Sequence, residues 1–126
     1  MSGAKVLICE DDPSLRELMR LALGDYTFAE AADAAEAIEL VQQFRPDLLL
    51  LDVMLPGGSG LDVLTELRLD PELAETPVLV VSAFTSEADR RAALDAGANR
   101  FLAKPFDPDE LAAIARDLLA ASRWAA

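Results

Sequence analysis

The sequence predicts an α/β fold in which five parallel strands form a doubly wound sheet with helices on both faces. Apolar runs alternate with amphipathic segments along the 126 residues. Three of those runs are almost continuously aliphatic, as expected of strands buried on both faces of a parallel sheet. The amphipathic segments between them carry helix start and stop residues. Strict alternation of this kind implies right-handed crossovers between parallel strands.

The five apolar runs are the predicted strands. They are Lys5–Cys9, Thr27–Ala31, Asp47–Leu51, Val78–Ser82 and Arg100–Ala103. The first, third and fourth are the aliphatic ones, so we expect them at the centre of the sheet. The second and fifth are more polar and suit its edges.

The segments between the strands predict five helices. Asp12 is a cap for the first, Pro13 suits its first position and Gly24 ends it. Its predicted buried stripe is Leu15, Leu18, Met19, Ala22 and Leu23. The second helix is predicted to begin at Asp33, with Glu36 at capping-box spacing, and to end before Pro46. The third follows the glycine-rich loop before Gly60 and ends at Pro71, and the fourth runs from a cap at Thr85 or Ser86 to Gly97. The fifth begins at Asp107 and Pro108, and its predicted buried stripe is Leu111, Ile114, Ala115, Leu118 and Leu119.

Composition excludes several functions. The formal net charge is −12, from 23 acidic and 11 basic residues, which disfavours direct nucleic-acid binding and favours a cation or a basic protein surface. The chain has no histidine, so no Ser-His or Cys-His nucleophile pair is available. Cys9 is the single cysteine and we expect it in the core. With no signal-peptide pattern and no run that could span a bilayer, we expect a cytoplasmic protein.

Polar residues follow four of the five predicted strands. They are Glu10, Asp11 and Asp12 after the first, Asp52 after the third, Ser82 at the end of the fourth, and Lys104 after the fifth. Carboxyl ends of parallel strands meet at one edge of the sheet, where such folds place their working residues. Asp12 serves as a cap, but the other carboxylates would repel one another unless a cation such as Mg²⁺ joined them. A nearby lysine and hydroxyl suit phosphoryl oxygens, so the edge predicts phosphoryl transfer to a nucleophilic carboxylate.

Four motifs carry a resemblance to a known family: VLICEDDPSLRELM, PDLLLLDVMLPGGSGLDVL, PVLVVSAF and GANRFLAKPF. In this order and spacing, over essentially its whole length, the sequence resembles the receiver domain of two-component response regulators. The resemblance implies a flavodoxin-like (βα)5 sheet with strand order 2-1-3-4-5. We expect residues 1–126 to form a single receiver domain without an output domain.

The resemblance also implies residue roles. Asp52 would be the phosphoacceptor, assisted by Lys104 and Ser82. Glu10, Asp11, Asp52 and the backbone carbonyl of Met54 would hold Mg²⁺ or Mn²⁺, with Asp11 binding directly and Glu10 through water. Ser82 and Phe101 would form the switch; Met54, Ala83 and Phe84 would flank the phosphate; and the Lys104–Pro105 peptide would be cis.

The implied function is signalling rather than enzymatic turnover. A sensor histidine kinase or a histidine phosphotransfer protein would supply the phosphoryl group from a phosphohistidine. The phosphorylated state would change the face formed by the fourth helix, fifth strand and fifth helix, which would contact a downstream protein. The only reactions catalysed would be phosphotransfer to the chain itself and slow autodephosphorylation. Because Met54 and Phe84 are bulky and apolar, we expect them to hinder the hydrolytic water and prolong the phosphorylated state.

Three other functions fit parts of the sequence. A pseudo-receiver, a protein-binding module that is never phosphorylated, would share all the motifs. A phosphatase of the aspartyl-phosphate type resembles a D-x-D-x-T pattern, but Met54 stands where its second aspartate would be. A flavin or dinucleotide carrier would need a glycine- or hydroxyl-rich loop after the first strand, where this chain is acidic.

Overall fold

The computed structural model describes residues 3–83 and 86–124, with side chains through Ala121. Its strands are β1 (Lys5–Cys9), β2 (Thr27–Ala31), β3 (Leu48–Leu51), β4 (Val78–Ser82) and β5 (Arg100–Ala103). Its helices are α1 (Pro13–Leu23), α2 (Ala34–Phe44), α3 (Gly60–Leu69), α4 (Glu87–Asp95) and α5 (Pro108–Trp124). No helix within the described ranges is long and apolar enough to cross a membrane.

The five strands pair in parallel in the order β2-β1-β3-β4-β5. This confirms the predicted fold class and strand order, including the two more polar strands at the edges. β3 begins one residue later than predicted. Asp47 instead precedes the strand, where its side chain accepts a hydrogen bond of 2.8 Å from the backbone amide of Lys5.

The sheet separates two apolar cores, because successive side chains of a strand point to opposite faces. Leu7 and Leu49 face the core formed with α2, α3 and α4. Ile8 and Leu50 face the core formed with α1 and α5. The strands at the centre are therefore buried on both sides, which explains why their sequences do not alternate between polar and apolar residues.

The predicted stripe of α1 is wrong at one position. Met19 and Leu23 are buried, and Leu15 and Ala22 pack partly against the same core. Leu18, however, is 41% exposed and lies on the same side of the helix as Leu21, which is 74% exposed. The contact strip of α1 against the sheet and α5 is therefore narrower than the apolar pattern indicates.

The helix caps agree with the predictions. The side chain of Asp12 accepts from the amide of Ser14 at 2.9 Å, and that of Asp33 accepts from the amide of Glu36 at 2.8 Å. Ser86 is the cap of α4, whereas Thr85 lies outside the described residues.

Candidate phosphoacceptor and metal site

The strand order places β1 and β3 side by side, and their carboxyl ends carry the first part of the site. Cys9 pairs with Leu51, and the backbone amide of Asp52 donates to the carbonyl of Cys9 at 3.0 Å. The sheet ladder thus extends to Asp52 and holds it next to Glu10. The exposed fraction is 5% for Asp52 and 1% for Glu10.

The neighbouring pair β4 and β5 brings Ser82 and Lys104 to the same edge. Ser82 pairs with Ala103, and the backbone amide of Lys104 donates to the carbonyl of Ser82 at 2.9 Å. Ser82 is fully buried. The peptide bond between Lys104 and Pro105 is cis, the isomer that the resemblance implied.

The Lys104 ammonium joins the two halves of the site. Its Nζ atom donates to Oδ2 of Asp52 at 2.7 Å and to Oε1 of Glu10 at 2.5 Å. The second oxygen of each carboxylate is also used: Oδ1 of Asp52 accepts from the amide of Met54 at 2.9 Å, and Oε2 of Glu10 accepts from the amide of Asp12 at 3.0 Å. Both buried carboxylates are therefore held by fixed donors.

Burial and hydrogen bonding shift the pKa values of Glu10 and Lys104. Burial raises the pKa of Glu10, because desolvation disfavours the charged carboxylate; hydrogen bonds from Lys104 and Asp12 only partly oppose this effect. For Lys104, desolvation acts to lower the pKa, but the hydrogen bonds to Asp52 and Glu10 outweigh it and the pKa is raised. Lys104 is consequently a cation throughout the neutral range.

Three acidic side chains form a possible cation site. Glu10, Asp11 and Asp52 each offer a carboxylate oxygen, and these oxygens lie within 4.8 Å of one another. Asp11 is exposed while the other two are buried, so the cluster opens to solvent on the Asp11 side. An all-oxygen set of this kind fits a hard divalent ion such as Mg²⁺, which retains several waters.

The first turn of α3 is packed closely against the segment that follows β3. A Cβ atom added at Gly60 would lie 2.4 Å from the Cα of Val53 and 2.8 Å from the carbonyl oxygen of Asp52. The amide of Gly60 donates to the carbonyl of Val53 at 3.1 Å. Only glycine permits this approach, which fixes the backbone on the far side of Asp52.

The remaining predicted site residues surround this edge. Met54 is 50% exposed, and Ala83 is exposed. Phe101 is half-buried and packs against the core beneath α2, α3 and α4. Phe84 lies outside the described residues.

Sequence reasoning missed one polar group that contacts the site. Arg16 donates from Nη1 to the carbonyl of Glu10 at 2.7 Å and from Nε to Oε1 of Glu30 at 2.8 Å. A signal was present: Arg16 and Arg20 share one side of α1, and Glu30 is the charged residue of β2.

Comparison with known proteins identifies the family. The response regulator receiver domain model matches residues 6–116. A response regulator MprA from Mycobacterium ulcerans is 42% identical over 119 residues, which is 93% of this chain and 50% of the relative. The DNA-binding response regulator MtrA from Mycolicibacterium smegmatis is 40% identical over 114 residues, covering 89% of this chain and 49% of the relative. The chain thus spans about half the length of these curated relatives.

Solved structures agree. A putative response regulator from Chloroflexus aurantiacus superposes with a TM-score of 0.87 at 34% identity, covering 94% of this chain and 98% of that one. A CheY-like receiver domain protein from Methanospirillum hungatei has a TM-score of 0.90 over 99% of this chain and 100% of that one; at 24% identity it supports the fold alone. The chain belongs to the response regulator receiver domains, which are signalling domains of two-component systems.

Proposed function

We propose that Asp52 accepts a phosphoryl group from the phosphohistidine of a sensor kinase or a histidine phosphotransfer protein. The observation that carries the proposal is the position of its carboxylate. It lies at the end of a central strand, is held by Lys104, and shares a cluster with Glu10 and Asp11. A carboxylate held in one orientation at an open sheet edge is well placed for in-line attack on phosphorus.

The transfer exchanges one bond for another. An Asp52 carboxylate oxygen forms a bond to phosphorus as the bond from phosphorus to the imidazole nitrogen breaks, and the imidazole departs with that electron pair. The product is an acyl phosphate. Lys104 stays protonated and offsets the negative charge of the phosphoryl oxygens, a task that suits its raised pKa.

Glu10, Asp11 and Asp52, together with the Met54 carbonyl, are the residues that would hold Mg²⁺ or Mn²⁺. Asp11 is the exposed member and suits direct binding, whereas both oxygens of Glu10 already accept hydrogen bonds and suit contact through water. When bound, the ion would neutralise charge on the carboxylates and the transferred group.

The switch we propose uses Ser82 and Phe101. Their strands are paired, and Phe101 packs against the core below the site. Recruitment of the Ser82 hydroxyl by the phosphoryl oxygens would open space for the Phe101 ring, and the change would reach the face formed by α4, β5 and α5. A downstream protein would read that face. Residues 1–126 would then act as one cytoplasmic receiver domain, and the net charge of −12 would keep this domain from binding nucleic acid itself.

The test is phosphorylation of the whole chain by acetyl phosphate, followed by intact-mass measurement. We expect a gain of one phosphoryl group in the presence of Mg²⁺, loss of that gain in Asp52→Asn, and retention in Asp47→Asn. Asp47 is a matched control because it directly precedes β3, at the end of the strand opposite to Asp52, and asparagine keeps an oxygen for the Lys5 amide. Absence of any phosphorylated product, with or without Mg²⁺, would favour the pseudo-receiver.

A further inference from the structure

The side chain of Arg16 is bound at both ends of its guanidinium group. Nη1 donates to the backbone carbonyl of Glu10 at 2.7 Å, and Nε donates to the carboxylate of Glu30 at 2.8 Å. The side chain is only 18% exposed. Arg16 therefore connects α1 and the edge strand β2 to the turn in which the acidic cluster begins.

The hydrogen bond to Glu10 controls the orientation of one peptide group. The carbonyl of Glu10 and the amide of Asp11 belong to the same rigid plane. A donor that fixes the carbonyl therefore also fixes the direction in which the chain enters Asp11. The amide of Glu10 is fixed separately, by the carbonyl of Ala31 at 3.0 Å. The hydrogen bond from Arg16 therefore fixes the peptide group between Glu10 and Asp11, whereas the hydrogen bond to Ala31 fixes only the peptide group before Glu10.

Arg20 provides an internal comparison. It also pairs with Glu30, but the contact described for its side chain goes to Glu30 and not to Glu10. The two arginines thus share a partner, a helix and a charge, and they differ in the bond to the Glu10 carbonyl. Glu30 also offsets the charge of Arg16, so that the guanidinium donates to the turn without placing a full uncompensated positive charge beside a cation site.

We propose that Arg16 is a positioning residue for the acidic cluster. It holds the Glu10–Asp11 peptide so that the Asp11 carboxylate faces Glu10 and Asp52 at a spacing a divalent cation can bridge. The inference rests on the proposed function of that cluster. Groups that orient metal ligands from outside commonly change metal affinity by about 10–100-fold when removed.

The test is the Mg²⁺ dissociation constant of the full chain, measured by amide chemical shifts of residues 10–12 during a magnesium chloride titration. In Arg16→Met we expect affinity to fall about tenfold. In Arg20→Met, which loses a Glu30 ion pair of the same kind, we expect affinity within about twofold of wild type. Arg16→Lys should remain weakened, because one ammonium does not span both acceptors as the planar guanidinium does.

The outcomes are separable. Affinity in Arg16→Met within twofold of wild type would overturn the positioning role while leaving the metal site intact. An equal loss in Arg16→Met and Arg20→Met would overturn it too, since the effect would then follow from Glu30 pairing alone. If Arg16→Met does not fold, Arg16→Lys takes its place, and an Mg²⁺ affinity of Arg16→Lys within twofold of wild type would overturn the positioning role. A wild-type chain that binds no Mg²⁺ would instead refute the proposed cation site.

Discussion

Nζ of Lys104 donates a hydrogen bond of 2.7 Å to Oδ2 of Asp52, which joins the end of β5 to the end of β3 across the intervening strand. The same ammonium binds Glu10, so one cation serves two buried carboxylates. Without Lys104, the two buried carboxylates would face each other with no cation between them.

Replacing Lys104 by methionine should therefore destabilise the chain. We expect Lys104→Met to lower the free energy of unfolding by about 1–3 kcal/mol in Mg²⁺-free buffer, below the range for fully buried pairs because Lys104 is partly exposed. Adding Asp52→Asn to that variant should cost less than the same change in wild type. Urea titrations of the four proteins measure this coupling; strictly additive effects would contradict the ion pair.

Asp11 and Asp12 are adjacent, exposed and acidic, yet we expect them to differ in Mg²⁺ binding. Asp11→Asn should weaken Mg²⁺ affinity by about tenfold or more, since a charged oxygen ligand is removed. Asp12→Asn should change it by about twofold or less, because the Asp12 side chain caps α1 and asparagine caps equally well. Calorimetric titration of both variants checks this, and equal losses would show that only total charge matters.

Met54 should prolong the phosphorylated state. It follows Asp52 by two residues and is 50% exposed at the mouth of the site, where an apolar side chain disfavours an aligned water. We expect Met54→Asn to lose its phosphoryl group faster than wild type after removal of the phosphodonor, and Phe84→Ala likewise. Intact-mass measurements over time follow the loss of the phosphoryl group. A slower loss in either variant than in wild type would contradict this role.

Cys9 should be unreactive in the folded chain. It is 1% exposed, and burial, followed by the charge of Glu36, raises the pKa of its thiol far above the ordinary value. The reactive thiolate is therefore absent at pH 8 until the sheet opens. We expect a disulfide reagent to label Cys9 at the unfolding rate, and rapidly in urea. Labelling of the native chain as fast as a small free thiol would disprove this burial.

Much of the fold was predictable because the determinants are local. Asp12, Pro13 and Gly24 define α1 by capping chemistry alone. The strand-end carboxylates converge because any parallel sheet brings its carboxyl ends together, so Glu10 and Asp52 could be placed before their distance was known.

Other features depend on how elements pack, which periodicity does not encode. The exposure of Leu18 follows from the narrow contact of α1 with its neighbours. The bond between Arg16 and the Glu10 carbonyl depends on where α1 crosses the sheet. The contacts of Arg68 also depend on packing. Its guanidinium donates to the carbonyls of Ala74, Thr76 and Gly97, and so joins the loop before β4 to the loop before β5 at the amino ends of these strands. No local sequence pattern predicts these contacts.

Phosphorylation of Asp52 is tested most directly by locating the phosphoryl group itself. After phosphorylation with acetyl phosphate and Mg²⁺, borohydride reduction converts an aspartyl phosphate to homoserine, which peptide fragmentation locates. We expect homoserine at position 52 and at no other aspartate. Homoserine at position 11 or 12, with Asp52 unmodified, would contradict it.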